Sequence, residues 1–146
     1  MRALTLFVLG LATCLPQLAM AAPTDALSAH ALREECSVFA QAGMRDCLAN
    51  KSDESQKTLR QAEEYMVDVL SKWDEDDKYV SLARTKIAIS RKEFARYRKA
   101  QCEFLASLSG GGAGNAYEMG RLACVAELNG RRAEQLRDAA ANLTMK

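Results

Sequence analysis

Histidine is nearly missing from this sequence. His30 is the only one in 146 residues, so no site built on two or more imidazoles is available. No CxxC, CxxCH or HExxH spacing occurs to suggest zinc, haem attachment or a metalloprotease. Neither sign of charge is in excess. With 20 Lys and Arg against 19 Asp and Glu, no chain-wide field exists to hold a nucleic-acid backbone or an anionic membrane by net charge. Proline is scarce (two) and glycine modest (eight), which excludes collagen-like and disordered chains. What remains, 49% hydrophobic and 27% charged residues, is the balance of one domain with a modest core. Composition therefore points away from an enzyme, and it implies no cofactor, metal or nucleic-acid partner.

Arg2 is the only charge before Asp25, and an apolar run from Ala3 to Leu15 follows it, ending in the small residues Ala19, Met20, Ala21 and Ala22. That order is a secretory signal peptide, residues 1–21, with cleavage expected after Ala21. The run is shorter than the roughly 20 apolar residues a bilayer requires, so no integral membrane segment remains after cleavage. A minor alternative is lipoprotein anchoring through Cys14. Cleavage removes Arg2 and Cys14, leaving equal numbers of basic and acidic side chains and four cysteines, Cys36, Cys47, Cys102 and Cys124. An even number of cysteines in a chain sent to an oxidising compartment predicts two disulfides.

Beyond a loose stretch over 22–34, apolar residues recur at helical spacing in three runs. Leu59, Ala62, Met66, Val69 and Trp73 form the first, with a helix start expected at Asp53, where Gln56 would complete a capping box. The second passes through Val80, Ala83, Ile87, Phe94, Tyr97, Phe104 and Leu108, interrupted in phase by Ser90 and Gln101. The third passes through Met119, Ala123, Ala126, Ala133, Leu136, Ala140 and Leu143, with Asn129 in phase. Asp77 is the expected cap of the second long helix, and Asn115 with Glu118 the expected capping box of the third. The fold expected is all-α: a small antiparallel bundle of about three long helices plus a short N-terminal helix. Cys102 and Cys124 lie at similar distances from the glycine-rich turn at 110–114, which makes their bridge reasonable in a hairpin. Cys36 and Cys47 are close enough in sequence for a second local bridge, and the other pairings stay open.

Several constellations have plain structural readings. The acids Asp74 to Asp77 lack the ligand alternation and central glycine of an EF-hand and read as a solvated capping turn. The cations of Arg91 to Lys99 read as the solvated flank of an apolar stripe, His30 as a surface residue, and Met44, Met66 and Met119 as core filler. The glycine run lacks the Lys-Ser/Thr sequel of a phosphate loop. It reads either as a recognition loop, where bare backbone permits close approach, or as a plain flexible turn.

The segment Phe94-Ala95-Arg96-Tyr97-Arg98-Lys99-Ala100-Gln101-Cys102, the loop at 110–114, Cys124, Arg132 and Leu136 together resemble the LprI-like lysozyme inhibitor family. The similarity runs from about Cys36 to Leu143 and makes 35–146 the family-like helical domain. It implies a structural role for the motif residues Phe94, Tyr97, Arg98, Arg132 and Leu136, a periplasmic or secreted location, and a lysozyme or other muramidase as protein partner. Where the family usually carries Gln, Trp, Asp and Thr, this chain has Arg91, Phe94, Lys99 and Asn129. A muramidase inhibitor must block a sugar cleft with carboxylates near its floor. Loop chemistry then nominates Gly110, Gly111, Gly112, Gly114 and Asn115, with Tyr117, Glu118 and Arg121 beyond them, as the contact surface. A different class of function, a periplasmic adaptor, immunity-type or structural envelope protein, would use the same scaffold.

Overall fold

The computed structural model describes residues 26–111 and 114–144. The leader at 1–21, Cys14 within it, and Gly112 of the loop lie outside the described residues. Four helices follow one another: α1 (Ala29–Cys36), α2 (Gln41–Ser71), α3 (Asp77–Ser107) and α4 (Gly114–Ala141). At 1.5 Å per residue the 31-residue α2 and α3 are rods of about 46 Å. The expected all-α bundle of three long helices and a short N-terminal one is the fold observed.

Its centre is the parallel pair α2 and α4. Leu48 packs with Met119, Leu122 and Ala123 near the start of both helices, and Leu59 and Ala62 pack with Ala133 and Leu136 farther along. The register is constant: the Ser55 to Asn129 hydrogen bond spans 74 positions, the offset that also relates Leu59 to Ala133 and Ala62 to Leu136. Ala62, Ala123, Ala126 and Ala133, all nearly or fully buried, keep the seam thin, because small side chains let helix axes approach at the short end of the usual range. The first and third apolar runs of the sequence are therefore the two sides of one core.

Part of the stretch expected to be loose is ordered. From Ala29 the chain is helical, with Leu32 and Cys36 buried against α2 and α4. The Ser28 hydroxyl accepts the Ala31 N–H at 3.1 Å, and the Glu127 carboxylate of α4 accepts the Ala29 N–H at 2.9 Å, placing negative charge on the helix N-terminus. Just upstream, Ala26 lies against Gly130, where an added Cβ would come within 2.9 Å of the Ala26 methyl. Glycine at 130 is what lets the N-terminal segment lie on α4.

The expected helix boundaries are corrected at three places. No break occurs before Asp53: α2 runs unbroken from Gln41, because Leu48, Ser52 and Leu59 share its buried face and carry it through Asn50-Lys51-Ser52. Asp76, not Asp77, occupies the N-cap of α3, and its side chain makes no capping bond. Helix α4 already includes Gly114 and Asn115, and Glu118 turns to Arg121 instead of closing a box.

The second apolar run is also corrected. Val80, Ala83, Ile87 and Phe94 are half-buried, but Tyr97, Phe104 and Leu108 are exposed. The cause is the disulfide. Joining Cys102 to Cys124, with Cα atoms 5.5 Å apart, turns the row Arg98, Cys102 and Ala106 inward at i, i+4 spacing and rotates Phe104 and Leu108 outward. The second bridge joins Cys36 to Cys47 at 5.8 Å and folds α1 back on α2. Both sequence-favoured pairings are formed.

Candidate partner-binding surface

Because α2 and α4 run in parallel and α3 returns between them, the α1–α2 junction and the glycine loop lie at the same end of the bundle. Leu108 closes α3, and Gly110 reverses the chain with φ 76°, a conformation that costs an L side chain energy. Nothing lies within 4 Å of a Cβ built there, so backbone conformation alone requires glycine. Gly111, Gly114 and Asn115 are exposed, and Tyr117 is 40% exposed on the first turn of α4. Leu105 and Leu108 at the end of α3, and Val38 at the α1–α2 junction, add exposed apolar surface at this end. Between α1 and the end of α3 runs a groove of about 410 Å³, edged by His30, Arg33 and Ser37 on one side and Leu105 and Ser109 on the other.

Arg121 and Glu118 form a bidentate pair, with contacts of 2.8 and 2.7 Å. The hydrogen bonds from Arg121 hold the Glu118 carboxyl below its ordinary value, opposed by partial burial and helped by the charges of Arg121 and Arg45. The same hydrogen bonding raises the Arg121 guanidinium. Of the nominated residues described, then, Gly110, Gly111, Gly114, Asn115 and Tyr117 are exposed, whereas Arg121 and Glu118 satisfy each other.

The motif residues lie elsewhere, at mid-bundle. Asn129 is fully buried; its amide donates to the Ser55 hydroxyl at 3.0 Å and its oxygen accepts from Arg98. Arg98 also donates to Gln56 at 2.8 Å. Burial pulls the Arg98 guanidinium below its ordinary value, and the Glu63 carboxylate works against that. Arg91 pairs with the buried Glu63 at 2.8 Å, and Arg132 donates to the Ser90 hydroxyl at 2.6 Å. Phe94 has Arg98 and Arg132 near its ring, with guanidinium carbons 5.8 and 5.9 Å from the centroid. Leu136 is core, and Tyr97 is 54% exposed. This network clamps α3 to the α2–α4 pair. Arg98 is thus no solvated flank, and Ser55, Gln56 and Glu63 were missed by the sequence reading. The available signal was polarity inside the stripes, at Ser90, Gln101 and Asn129, since a buried polar position demands a partner.

Charge is segregated although it sums to almost nothing. On α3, Lys78, Arg84, Lys86, Arg91, Lys92, Arg96, Arg98 and Lys99 outnumber Asp77, Glu93 and Glu103, while acids predominate on α2 and in the turn at 74–76. Among the described residues no group of three or more His, Cys, Asp or Glu gathers as a metal site, and no helix is long and apolar enough to cross a membrane.

Fold and surface together define a small helical domain, cross-linked by two disulfides, that carries an open glycine tip. The chain belongs to the lysozyme inhibitor LprI family, whose model matches residues 34–136. No curated protein and no solved structure matches the chain.

Proposed function

We propose that this protein inhibits a lysozyme or related muramidase by binding it, with the glycine-loop end of the bundle covering the sugar cleft. The observation that carries the reading is the family match over 34–136, which includes both disulfides, all of α3 and most of α4. A stapled hairpin suits the task because helices already fixed on both sides of the loop lose less entropy on association. Tyr117 and Leu108 supply contact area, and the glycine backbone lets the tip approach the cleft floor closely. Arg121 is engaged by Glu118, so it meets a cleft carboxylate only by exchanging its present partner. The protein acts in the periplasm or outside the cell after residues 1–21 are removed, where an oxidising environment maintains its bridges.

Cell-wall lysis by a panel of lysozymes, measured with purified mature protein, tests the proposal. Dose-dependent protection is expected from the wild type. Tyr117→Ala together with Leu108→Ser, both exposed and so tolerated by the fold, is expected to weaken protection at least tenfold. Undiminished lysis at saturating protein across the panel removes the inhibitor reading for those enzymes.

A further inference from the structure

The outward side of α3 combines exposed apolar side chains with a run of cations. Leu82, Ile89, Tyr97 and Phe104 are each more than half exposed, at 53, 52, 54 and 57%. Their steps of seven, eight and seven residues keep them within about 80° of one another around the helix, so they form one strip along the rod. From Leu82 to Phe104 that strip extends about 33 Å at 1.5 Å per residue. Lys86 sits within it, and Lys92, Arg96 and Lys99 lie on the neighbouring outward strip. The acids nearby leave half of these cations unpaired: Glu93 is taken up by Arg96 at 2.9 Å and Glu103 is 4.0 Å from Lys99, but Lys86 and Lys92 make no ion pair with a described residue.

We propose that this face of α3 docks on an anionic lipid bilayer, with the helix lying in the plane of the membrane. Charge selects the occupant's sign, because a basic flank beside an apolar strip is complementary to acidic headgroups over a hydrocarbon boundary. Shape selects a bilayer over an acidic protein. The strip is convex and follows most of a rod, so a flat, deformable surface meets all of it, whereas a protein would need a matching trough. Tyr97 suits the headgroup level, with an apolar ring and a polar tip, and the lysine stems reach outward while their ammonium groups stay hydrated. The near-zero charge of the whole chain hides this face, since the excess cations of α3 are balanced by acids on other elements. The glycine tip, at the end of the rod, stays accessible while α3 lies flat.

Flotation of the mature full-length protein with phosphatidylcholine vesicles, with and without phosphatidylglycerol, is the test. Binding to the anionic vesicles alone, weakened by added salt, is expected. Lys86→Glu with Lys92→Glu is expected to reduce it more than tenfold, since each cation near such a surface contributes a severalfold factor. Ile89→Ser with Phe104→Ser is expected to reduce it comparably, with thermal melting by circular dichroism unchanged for both pairs. If the apolar pair lowers the melting temperature, the lysine pair alone decides. Equal binding to both vesicle types, no binding to either, or binding that survives the lysine reversals overturns the proposal. So does polyglutamate binding as tight as vesicle binding, which marks a general polyanion site. Self-association abolished by the apolar pair, without vesicle binding, would instead assign the face to a second copy of the chain.

Discussion

Asn129 shows how a single side chain can couple three helices. It is fully buried on α4, donates to Ser55 of α2 and accepts from Arg98 of α3. Replacing it with alanine takes the amide donor from the half-buried Ser55 hydroxyl and one acceptor from the Arg98 guanidinium, and is expected to destabilise the domain by about 2 kcal/mol in urea unfolding. Asn129→Thr is expected to cost less, about 1 kcal/mol, because its hydroxyl retains an acceptor for Arg98. Glu118 gives a prediction of another kind. Its folded-state pKa lies below the ordinary 4.5, chiefly through the Arg121 hydrogen bonds, so its contribution to stability is complete above that value. The contribution is lost as pH falls through the depressed folded-state value. Carboxyl NMR titration should find Glu118 ionising below the ordinary 4.5, and Arg121→Gln should move it back toward that value. At this scale the sequence was legible where chemistry was local, as in the apolar residues of α2 and α4 and the cysteine pairs. It was not legible at Glu63 or Gln56, because their partners Arg91 and Arg98 are 28 and 42 positions away and only the packing of α3 brings them together.

Among the helices, α3 is held differently from the rest. Of its side chains only Cys102 and Ala106 are fully buried, and arginine hydrogen bonds supply much of the remaining attachment. Amide hydrogen exchange is therefore expected to be faster along the first half of α3, from Tyr79 to Ile89, than at the cores of α2 and α4. The disulfide acts at the other half. Replacing Cys102 and Cys124 by alanine is expected to cost about 3 kcal/mol in the chain-entropy account, measured by denaturant unfolding. Protection of cell walls should fall further than stability does, because the tip loses its staple. Three long helices were readable from apolar spacing, but their ends and the rotation of α3 were not. Capping patterns such as Asp53 with Gln56 are short and occur by chance inside helices, where a shared buried face overrides them. The outward turn of Phe104 and Leu108 follows from one covalent bond, which an averaged periodicity does not contain.

For the molecule as a whole, intact mass of protein recovered from its native compartment is expected to correspond to a chain beginning at Ala22 with all four cysteines oxidised. Retention of residues 1–21, or free thiols, would contradict the proposed location. The architecture also divides the covalent links unevenly. One bridge closes α1 onto α2 and the other closes α3 onto α4, and only the exposed turn from Lys72 to Asp76 connects these halves. A single protease nick after Lys72 would release no small fragment. It would leave two separately sealed pieces held by the α2–α4 seam and the arginine clamps, and reassembly would then depend on dilution. The protein is in effect a prefabricated pair of complementing fragments, suited to being split and rejoined on command.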